Sequence, residues 1–536
     1  MIFSDFIKPG SPGCALGVYR DGKVIYARGY GLGNIEEKVP ITTDSVFDIG
    51  SVSKQFTAAS IVLLEKQGRL RLDDDVRKYI PELPDYSRKV GQKITILQLL
   101  NHTSGLRDYG ELFPLAGIHD DNVTTESDAL GMIFRQKGLN FTPGSGWQYS
   151  NSGYDLLGLI VKRLTGKSLR EFEDVNIFRP LGMMHTQLRD DHTLLIPKRV
   201  LAYRKVEDGY KLNVPYAEET GDGMVQTTIG DLQKWDENFY TGEVGGSGFA
   251  TEMEEPGKLN DGTVAEYAKG LHVTSHRGLR VVRHTGGSGG YRAYYMRFPD
   301  QHFSIACLCN LQNTNRRKLV AAVAENYLGS QMSPSRDFTE KLTPEQRKAM
   351  TGVYRDPKTT ETVRVSLQGE KLYANFEGGP LELHPLSPTD FEPVDYAFEL
   401  ELRFEPVAGK NRSPKLIIKR EMEFPATFEA IGEVTPAPEE LAAYAGDYWS
   451  DELLATYRLR TRDGKLWMKD LLGSDGIIHA GIIPFNVLLP VLKDEFDLDG
   501  DTLIFHFIRD GNNHVTGFTL DGSRVRGIVF RRKATP

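Results

Sequence analysis

The chain has 536 residues, 40% of them hydrophobic and 26% charged, a globular composition too long for one ordinary core. Its formal net charge of −8 argues against a nucleic-acid partner, because such proteins carry a basic face or stripe. No apolar run approaches the roughly 20 residues that span a bilayer, so we expect two to four soluble domains and no membrane partner.

A β-hairpin is predicted near the N-terminus, where Ala15–Tyr19 and Val24–Ala27 flank an Asp21-Gly22 turn. Apolar residues three and four positions apart then predict helices at Ser53–Lys66, Ile94–Leu100, Thr125–Gln136, Gly153–Leu164, Ser168–Phe178, Thr228–Tyr240 and Arg316–Tyr327. Further strands are predicted at Ala268–Val273, Leu279–His284, Tyr291–Phe298 and Phe303–Asn310. Strands at both ends with helices between them indicate an α+β domain built on one antiparallel sheet.

An internal repeat occupies the C-terminal part of the chain. Lys371-Leu372-Tyr373 matches Lys465-Leu466-Trp467, which lies 94 residues further along the chain. Short strands and turns dominate each copy, so the repeat predicts two small antiparallel β-barrels. We place the domains at residues 1–335, 340–434 and 435–536.

The second copy is longer, because Asp390-Phe391 corresponds to Glu495-Phe496, at an offset larger than that of the repeat. The extra residues fall within Leu471–Pro490. They form either a longer hairpin loop or a loop that reaches the cleft of the first domain, and both interpretations stay open.

Cysteine usage and the N-terminus bear on the compartment. Cys307 and Cys309 alternate along a predicted strand, where strain disfavours a bond between them, and Cys14 is far away in sequence. We therefore expect no disulfide framework. Residues 1–8 lack the basic and apolar regions of a signal peptide. The sequence as written predicts a cytoplasmic protein, whereas a signal peptide removed from it would indicate a periplasmic or secreted one.

Ser51-Val52-Ser53-Lys54 is the one Ser-x-x-Lys string in the chain. It lies where a strand ends and a helix begins, so Ser51 gains free backbone N–H groups and the positive end of the helix dipole. Lys54 is one turn further on, where it can take the serine proton or lower the pKa of a nearby phenol. The alternative is a helix cap at Ser51 and a solvated Lys54.

Tyr149-Ser150-Asn151 follows a Gly-rich loop and leads into a helix, a position from which side chains project into a cleft. A second Tyr-x-Asn, Tyr373–Asn375, lies in the barrel repeat and indicates packing. For the first string the alternative is a core aromatic at Tyr149 and a helix N-cap at Asn151.

His284-Thr285-Gly286 follows the end of a predicted strand. A glycine there allows a substrate backbone to lie along the strand edge. The N–H of Gly287 can then form an oxyanion hole with the N–H of Ser51. The alternative is a turn that simply ends the strand.

Two other patterns compete with this interpretation. Gly286–Gly290 fits the Gly-x-Ser-x-Gly elbow of α/β-hydrolases, which requires a helix after the turn. A strand is predicted there instead, at Tyr291–Phe298, so we reject the elbow. The sequence has no His-Glu-x-x-His or Cys-x-x-Cys spacing, and we expect no metal and no cofactor.

The strings Ser51–Lys54, Tyr149–Asn151 and His284–Gly286, in this order, resemble the motifs of the serine β-lactamase and penicillin-binding-protein family. Residues 100–106, Leu-Asn-His-Thr-Ser-Gly-Leu, are also typical of that family, and we interpret His102 as structural. Tyr-x-Asn makes the resemblance closest to the class C type.

The resemblance covers residues 10–330 and implies a β-lactamase/DD-peptidase-like domain of class α+β, with helices on both faces of its sheet and a helical subdomain. Two lipocalin-like barrels behind it make the architecture similar to that of D-aminopeptidases. It also implies a serine hydrolase with an acyl-enzyme on Ser51. Lys54 and Tyr149 would share the role of general base, and Asn151 would orient Lys54 or the substrate amide.

The third motif departs from the Lys-Thr-Gly of true β-lactamases and DD-peptidases. A lysine stays charged and holds a substrate carboxylate, whereas His284 is largely neutral at pH 7 unless perturbed. We count His284 among the catalytic residues and assign Thr285, Gly286 and Gly287 to substrate binding and the oxyanion hole. The expected substrates are D-amino-acid peptides or amides first, carboxylic esters second, and β-lactams or muropeptides third.

Other interpretations stay open at this level. A member of this family can be a binding or sensor module that acylates once and releases its ligand slowly. Asp222 and Asp108 are candidates for holding a substrate's free amine, or they form bonds within their own loops. The implied partner is a small peptide, amide or ester, and a homodimer is compatible with the sequence.

Overall fold

The structure is a computed structural model that describes residues 2–119, 121–334, 342–376, 379–396, 399–406, 412–421, 423–432, 434–472, 487–499 and 502–534. Its internal contacts divide the chain into two compact units. The first comprises Met1–Leu106, Asp120–Phe134 and Phe141–Ser335, and the second comprises Arg107–His119, Arg135–Asn140 and Arg336–Pro536. Two short segments from the N-terminal half thus belong to the same unit as the C-terminal repeat.

The N-terminal half is mixed in secondary structure. Its described strands are β1 (Cys14–Arg20), β2 (Lys23–Tyr30), β3 (Leu32–Asn34), β4 (Val39–Pro40), β5 (Phe47–Asp48), β6 (Gln187–Leu188), β7 (Tyr203–Val206), β8 (Gly209–Leu212), β9 (Val225–Thr227), β10 (His272–His276), β11 (Leu279–Ser288), β12 (Tyr291–Phe298) and β13 (Phe303–Cys309). Its described helices are α1 (Lys54–Lys66), α2 (Ser87–Val90), α3 (Ile96–Leu100), α4 (Tyr109–Ala116), α5 (Glu126–Arg135), α6 (Asn151–Thr165), α7 (Leu169–Glu173), α8 (Ile229–Thr241), α9 (Phe249–Met253) and α10 (Arg316–Leu328). None of the described helices combines the length and apolar character needed to cross a membrane.

The first unit is built on a six-stranded antiparallel sheet of order β10-β11-β12-β13-β1-β2. The hairpin β1–β2 lies beside β13, and its turn holds Asp21 and Gly22 at φ 49° and 70°, as predicted. On one face, α10 packs its Val320 and Leu328 against sheet residues such as Ile305. On the other face, the Tyr19 hydroxyl of β1 donates to the carbonyl of Ile229 in α8. The predicted α+β class, with a sheet formed by both termini of this domain, is confirmed.

A disulfide joins Cys14 and Cys309, which face each other directly across β1 and β13. The expectation of no disulfide is therefore wrong for this pair. Sequence separation does not keep two cysteines apart when the sheet places the first strand of the unit beside its last. Cys307, the third cysteine, is a buried free thiol.

The repeat forms two closed antiparallel barrels of eight strands each, in sequence order. The first comprises β14 (Gly352–Arg355), β15 (Thr362–Gln368), β16 (Lys371–Phe376), β17 (Gly379–Pro385), β18 (Asp390–Pro393), β19 (Leu400–Glu405), β20 (Lys415–Arg420) and β21 (Ala426–Ile431). The second comprises β22 (Gly446–Ser450), β23 (Ala455–Arg462), β24 (Lys465–Leu472), β25 (Val487–Leu492), β26 (Glu495–Leu498), β27 (Ile504–Arg509), β28 (Val515–Asp521) and β29 (Ile528–Arg532). A short helix precedes each barrel, α11 (Pro344–Ala349) and α12 (Pro438–Ala442).

The two barrels repeat the same internal contact. The buried hydroxyl of Tyr354 donates to the carbonyl of Met350, and that of Tyr448 donates to the carbonyl of Tyr444. The predicted duplication is thus visible residue by residue. The predicted insertion falls mostly on residues 473–486, which lie outside the described residues. Whether it forms a longer hairpin loop or reaches a cleft is therefore not tested.

Candidate active site

Ser51 lies in a short 3-10 turn, Gly50–Ser53, that runs directly into α1, whose first residue is Lys54. The Lys54 side chain is buried, and its Nζ lies 3.1 Å from Ser51 Oγ, 2.8 Å from Asn151 Oδ1 and 2.7 Å from the carbonyl oxygen of Asp222. The amide oxygen and the carbonyl oxygen accept N–H bonds from the amine, while the Ser51 hydroxyl can either accept or donate one. The alternative of a solvated Lys54 is wrong, because the chain holds this amine against the serine.

The second motif meets the first through Asn151. Ser150 occupies the N-cap position of α6, so Asn151 is the first helical residue and its side chain accepts from Lys54 instead of capping the helix. The Tyr149 ring lies 4.9 Å from Lys54 Nζ. The alternative of Asn151 as an N-cap is therefore wrong, and the structure places both residues of the motif around the Lys54 amine.

His102 supports the second motif from the preceding loop. Its ring packs on Tyr149 with 4.3 Å between the ring centroids, and its Nδ1 accepts from the Ser150 N–H at 3.2 Å. Its carbonyl accepts from the N–H of Gln148, and its backbone has a φ of 61°. The loop thus fixes the entry of the chain into Tyr149-Ser150-Asn151, which agrees with a structural role for His102.

The third motif lies within β11, which continues to Ser288, so the alternative of a strand-ending turn at His284 is wrong. His284 is buried, with Nε2 2.9 Å from the Tyr267 hydroxyl and Nδ1 2.6 Å from the carbonyl oxygen of Thr285. Burial, and then the charge of Lys54, lower the pKa of His284 to about 3. The imidazole is therefore neutral, with Nδ1 assigned as the donor to that carbonyl oxygen.

Two glycines allow the serine turn to pack directly on the third motif. A Cβ at Gly286 would lie 1.9 Å from the carbonyl oxygen of Ile49 and 3.3 Å from the backbone nitrogen of Ser51. A Cβ at Gly50 would lie 2.6 Å from the backbone nitrogen of Gly287. The contact is backbone against backbone, and neither position leaves room for a side chain.

Comparison with known proteins agrees with this geometry. The profile of the family described as Beta-lactamase matches residues 2–328, which include all three motifs. The chain belongs to the beta-lactamase family. It is accordingly a serine hydrolase of the β-lactamase and penicillin-binding-protein type, as the motifs predicted.

Two relatives extend past the β-lactamase domain. The chain is 30% identical over 418 residues to penicillin-binding protein 4* of Bacillus subtilis (strain 168), covering 73% of this chain and 90% of the relative. It is 25% identical over 531 residues to a D-aminopeptidase of Brucella anthropi, covering 97% of this chain and 95% of the relative. The second alignment therefore runs through both barrels.

Among solved structures, the chain is similar to an octameric penicillin-binding protein homologue from Pyrococcus abyssi, with a TM-score of 0.55 and 24% identity over 78% of this chain and 96% of the other. It is also similar to the D-amino acid amidase from Ochrobactrum anthropi SV3, with a TM-score of 0.51 and 24% identity over 61% of this chain and 97% of the other. At this identity the two likenesses establish the fold of the β-lactamase domain.

Two groups that contact the site residues belong to none of the β-lactamase motifs. Tyr267 has no motif, yet it contacts the rings of His102, Tyr149 and His284 and donates to the last of these. The carbonyl of Asp222 is also missed, because a main-chain acceptor leaves no trace in the sequence. A loop such as Gly221-Asp222-Gly223 is the one indication that could have drawn attention to it.

Asp108, the other candidate for an amine ligand, belongs to the second unit. Its side chain accepts from the N–H of Gly110 at the start of α4 and lies 3.3 Å from Arg524. Of its two interpretations, bonding within its own surroundings is the one that this arrangement supports.

Two groups of described residues lie close enough together to hold a metal ion. The first is Cys14 with Cys307 and Cys309, and the second is Asp191 with His192 and Glu218. The first contains the disulfide. In the second, His192 Nδ1 and Glu218 Oε1 already form a hydrogen bond of 2.6 Å. Neither group includes a residue of the Ser51 site.

Proposed function

We propose that the chain is a D-amino-acid-specific aminopeptidase or amidase that acts on small peptides or amides through a Ser51 acyl-enzyme. The observation that carries the proposal is the hydrogen-bonded group in which Lys54 Nζ meets both Ser51 Oγ and Asn151 Oδ1. The substrate class is supported by the relatives named D-aminopeptidase, one of which aligns over 97% of this chain.

In acylation, neutral Lys54 takes the Ser51 Oγ proton while that oxygen bonds to the substrate carbonyl carbon. The negative charge that develops on the carbonyl oxygen is stabilised by the N–H groups of Ser51 and Gly287. Lys54 and Tyr149 pass the proton to the leaving nitrogen as the C–N bond breaks, and Asn151 keeps Lys54 oriented. The products of this half are the acyl-enzyme and a free amine or ammonia.

In deacylation, a water molecule attacks the ester carbon of the acyl-enzyme. Tyr149, whose ring lies close to Lys54 Nζ, takes a proton from that water as its own hydroxyl proton passes to Lys54. The Ser51 oxygen leaves and regains its proton through Lys54, and the acyl group departs as a carboxylic acid. Bonds and protons balance with water as the only co-reactant.

A neutral third motif supports an amide or amine-bearing substrate over one bound by a free carboxylate. The Lys-Thr-Gly of true β-lactamases supplies a fixed positive charge, whereas the His284 ring carries none because its pKa is about 3. Its two nitrogens are also engaged, one with Tyr267 and one with the backbone. Thr285 and Gly286 are proposed to bind the substrate backbone along β11.

A second candidate is a β-lactam- or muropeptide-binding protein with weak turnover. Penicillin-binding protein 4* of Bacillus subtilis, at 30% identity, favours it. A carboxylesterase is the third reading that the same site chemistry permits. The three differ in how fast the acyl-enzyme is released and in which leaving group is accepted.

The deciding experiment compares hydrolysis of D-alanine p-nitroanilide, its L-isomer and p-nitrophenyl butyrate by the wild type and Ser51→Ala. Cleavage of the D-anilide in preference to the L-isomer supports the D-aminopeptidase. Cleavage of the ester alone means an esterase. A fluorescent penicillin that labels Ser51 stoichiometrically, with no turnover of the other substrates, means a binding protein. Activity retained in Ser51→Ala would refute the acyl-enzyme altogether.

Two sequence-level predictions accompany this proposal. Domains are placed at residues 1–335, 340–434 and 435–536, which limited proteolysis tests by the sites of first cleavage. A homodimer is tested by light scattering on the full-length chain.

A further inference from the structure

Arg189 is a buried arginine that forms no ion pair with any of the described residues. It follows β6, and only 2% of its surface is exposed. Its Nη2 donates to the carbonyl of Pro215 at 3.3 Å and to the Met224 sulfur at 3.2 Å. Nη2 carries two of the five N–H donors of a guanidinium, so within the described part of the chain those on Nε and Nη1 are left over. A buried charge without a direct counter-charge is costly.

The carboxyl group of Asp48, which precedes the serine turn, does not use these donors. Burial raises the pKa of Asp48, and the charge of Arg189 lowers it in part, so the two groups influence each other from beyond ion-pair distance. The Asp48 oxygens accept instead from the Gly50 N–H at 2.8 Å, the Gln226 amide at 2.8 Å and the Ser288 hydroxyl at 3.4 Å. The leftover donors of Arg189 therefore need another acceptor.

Arg189 lies between two segments that reach the catalytic residues. Its backbone N–H donates to the carbonyl of Met224 at 2.9 Å, and Met224 is two residues after Asp222, whose carbonyl accepts from the catalytic lysine. On the other side, Pro215 packs on the turn that follows the third motif, because a Cβ at Gly289 would lie 3.0 Å from the Pro215 Cδ. A guanidinium bonded to both segments lies at the edge of the catalytic site.

The two ends of this site receive different parts of a substrate. In the proposed reaction the leaving nitrogen takes a proton from Lys54 and Tyr149, and the Tyr149 ring lies 6.2 Å from the ring of His284. The leaving group is therefore at the His284 end of the third motif. The acyl group extends to the opposite end, where Gly289 contacts the Pro215 segment.

We propose that Arg189 binds a carboxylate on the acyl part of the substrate, so that acidic acyl groups are preferred. The inference rests on the proposed function in one respect, the orientation of the acyl group on Ser51. A carboxylate accepts two parallel N–H bonds from a guanidinium. It would displace the Met224 sulfur, a weak acceptor on a flexible side chain.

This assignment gives the site a positive charge at the end opposite His284, whose ring is neutral. Among D-amino-acid substrates, the preferred class is then amides and peptides that begin with D-glutamate or D-aspartate. The leaving group needs no charge of its own.

The test compares substrates that differ only in the charge of the acyl group. One pair is the α-p-nitroanilides of D-glutamate and D-glutamine, and the other is mono-p-nitrophenyl adipate and p-nitrophenyl hexanoate. The second pair applies if the wild type cleaves esters alone, so failure of D-amino-acid specificity does not affect the test. We expect kcat/KM of the wild type to favour the acidic member by about 10-fold or more, because hydrogen bonds between charged groups are the stronger ones.

Three variants separate charge from structure. Arg189→Met should remove the preference, since it keeps an unbranched side chain without the charge. Arg189→Lys should keep part of it, because an ammonium group supplies the charge without the paired donors. Arg170→Met is the matched control: Arg170 pairs with Asp190, next to Arg189, and loss of its charge should leave the preference unchanged. A merely structural loss lowers kcat/KM for both members of a pair and does not change their ratio.

The inference is overturned if the wild type does not prefer the acidic member, or if the preference persists in Arg189→Met. Folding is checked by circular dichroism and by the midpoint of thermal unfolding. If Arg189→Met does not fold, Arg189→Lys decides, and an unreduced preference in that variant would overturn the inference. Failure to cleave any of the four substrates would refute the proposed function itself, an outcome distinct from equal cleavage within a pair.

Discussion

Arg107 and Glu452 form a buried ion pair of 2.6 Å within the second unit, although 345 residues separate them in sequence. The same Glu452 carboxylate accepts from the backbone N–H of Lys137 at 2.7 Å, and Arg107 also donates to the carbonyl of Gly527 at 3.1 Å. The segments that contain Arg107 and Lys137, both between the first and second motifs in sequence, are thereby bonded to the second barrel. The barrel is part of the folding unit to which those segments belong.

Breaking this pair should destabilise the second unit strongly. Glu452→Gln removes the buried carboxylate that pairs with Arg107, which costs about 3–5 kcal/mol. Urea unfolding followed by tryptophan fluorescence measures the effect. The exposed pair Lys137–Asp451 provides the control, since Asp451→Asn should cost less than about 1 kcal/mol. Equal losses in the free energy of unfolding for the two variants would contradict a larger stabilising effect of the buried pair.

Removal of residues 340–536 should not give a well-behaved catalytic fragment. The domain boundary placed at residue 335 predicts instead that such a deletion leaves a soluble domain. In the structure, Leu112 and Leu115 of α4 are buried within the second unit, and the Tyr457 hydroxyl donates to the carbonyl of Leu115. The fragment would expose this apolar helix. We expect aggregation on purification, measured by light scattering; a monomeric, fully active fragment would contradict this.

Tyr149→Phe tests the proposed proton transfer. If the phenol hydroxyl serves as acid and base, its removal should lower kcat on the order of 10²–10⁴-fold with little change in folding. Steady-state kinetics on the preferred substrate supply the measurement. Tyr267→Phe is the control: it loses a hydroxyl that bonds His284, and it should have the smaller effect. A near-silent Tyr149→Phe would assign the base role to Lys54 alone.

Glu173 should make the first unit more stable at acidic pH. Burial raises the pKa of its carboxyl well above 4.5, and the Thr57 hydroxyl lowers it only in part. The folded state then binds a proton that the unfolded state has lost, so stability falls by about 1.4 kcal/mol per pH unit above pH 4.5 until the folded pKa is reached. Glu173→Gln should remove this slope and raise the unfolding midpoint at pH 8. An unchanged slope would refute the buried acid.

His506 should stabilise the second unit at low pH. A histidine that is buried without acidic partners would have the opposite effect. Burial opposes its charge, but hydrogen bonds with Asp521 and Glu495 outweigh this and raise the pKa of His506 to about 9. The stabilisation is fully present below pH 6.5 and is lost as pH rises to about 9. We expect a loss of about 1–2 kcal/mol over that window, allowing for solvent screening. Denaturant curves at pH 6 and 9.5 should differ less in His506→Gln.

Local patterns account for the parts of the structure that the sequence predicted. The helix after Ser51 and the hairpin at Asp21-Gly22 depend on neighbouring residues, so periodicity and turn chemistry predict them. The barrel duplication was readable because one offset recurs. By contrast α4 was missed, since Pro114 lies inside it and a proline in the interior of a segment argues against a helix. Strand β10 begins at His272, four residues later than predicted.

The parts of the site that were missed depend on distant pairing. Neither Tyr267 nor the Asp222 carbonyl belongs to a motif, and each reaches the catalytic residues through the folded backbone. The Cys14–Cys309 bond was missed for the same reason, as strand order is not encoded locally.

The position of β1 beside β13 has a consequence for synthesis of the chain. The register of the two strands places Arg20 opposite Phe303 and Cys14 opposite Cys309. At roughly 5–20 residues per second, a ribosome makes the hairpin about 15–60 s before its partner strand emerges. Throughout that interval the apolar edge of β1 has no neighbour, and it is the segment that a nascent-chain chaperone would need to cover.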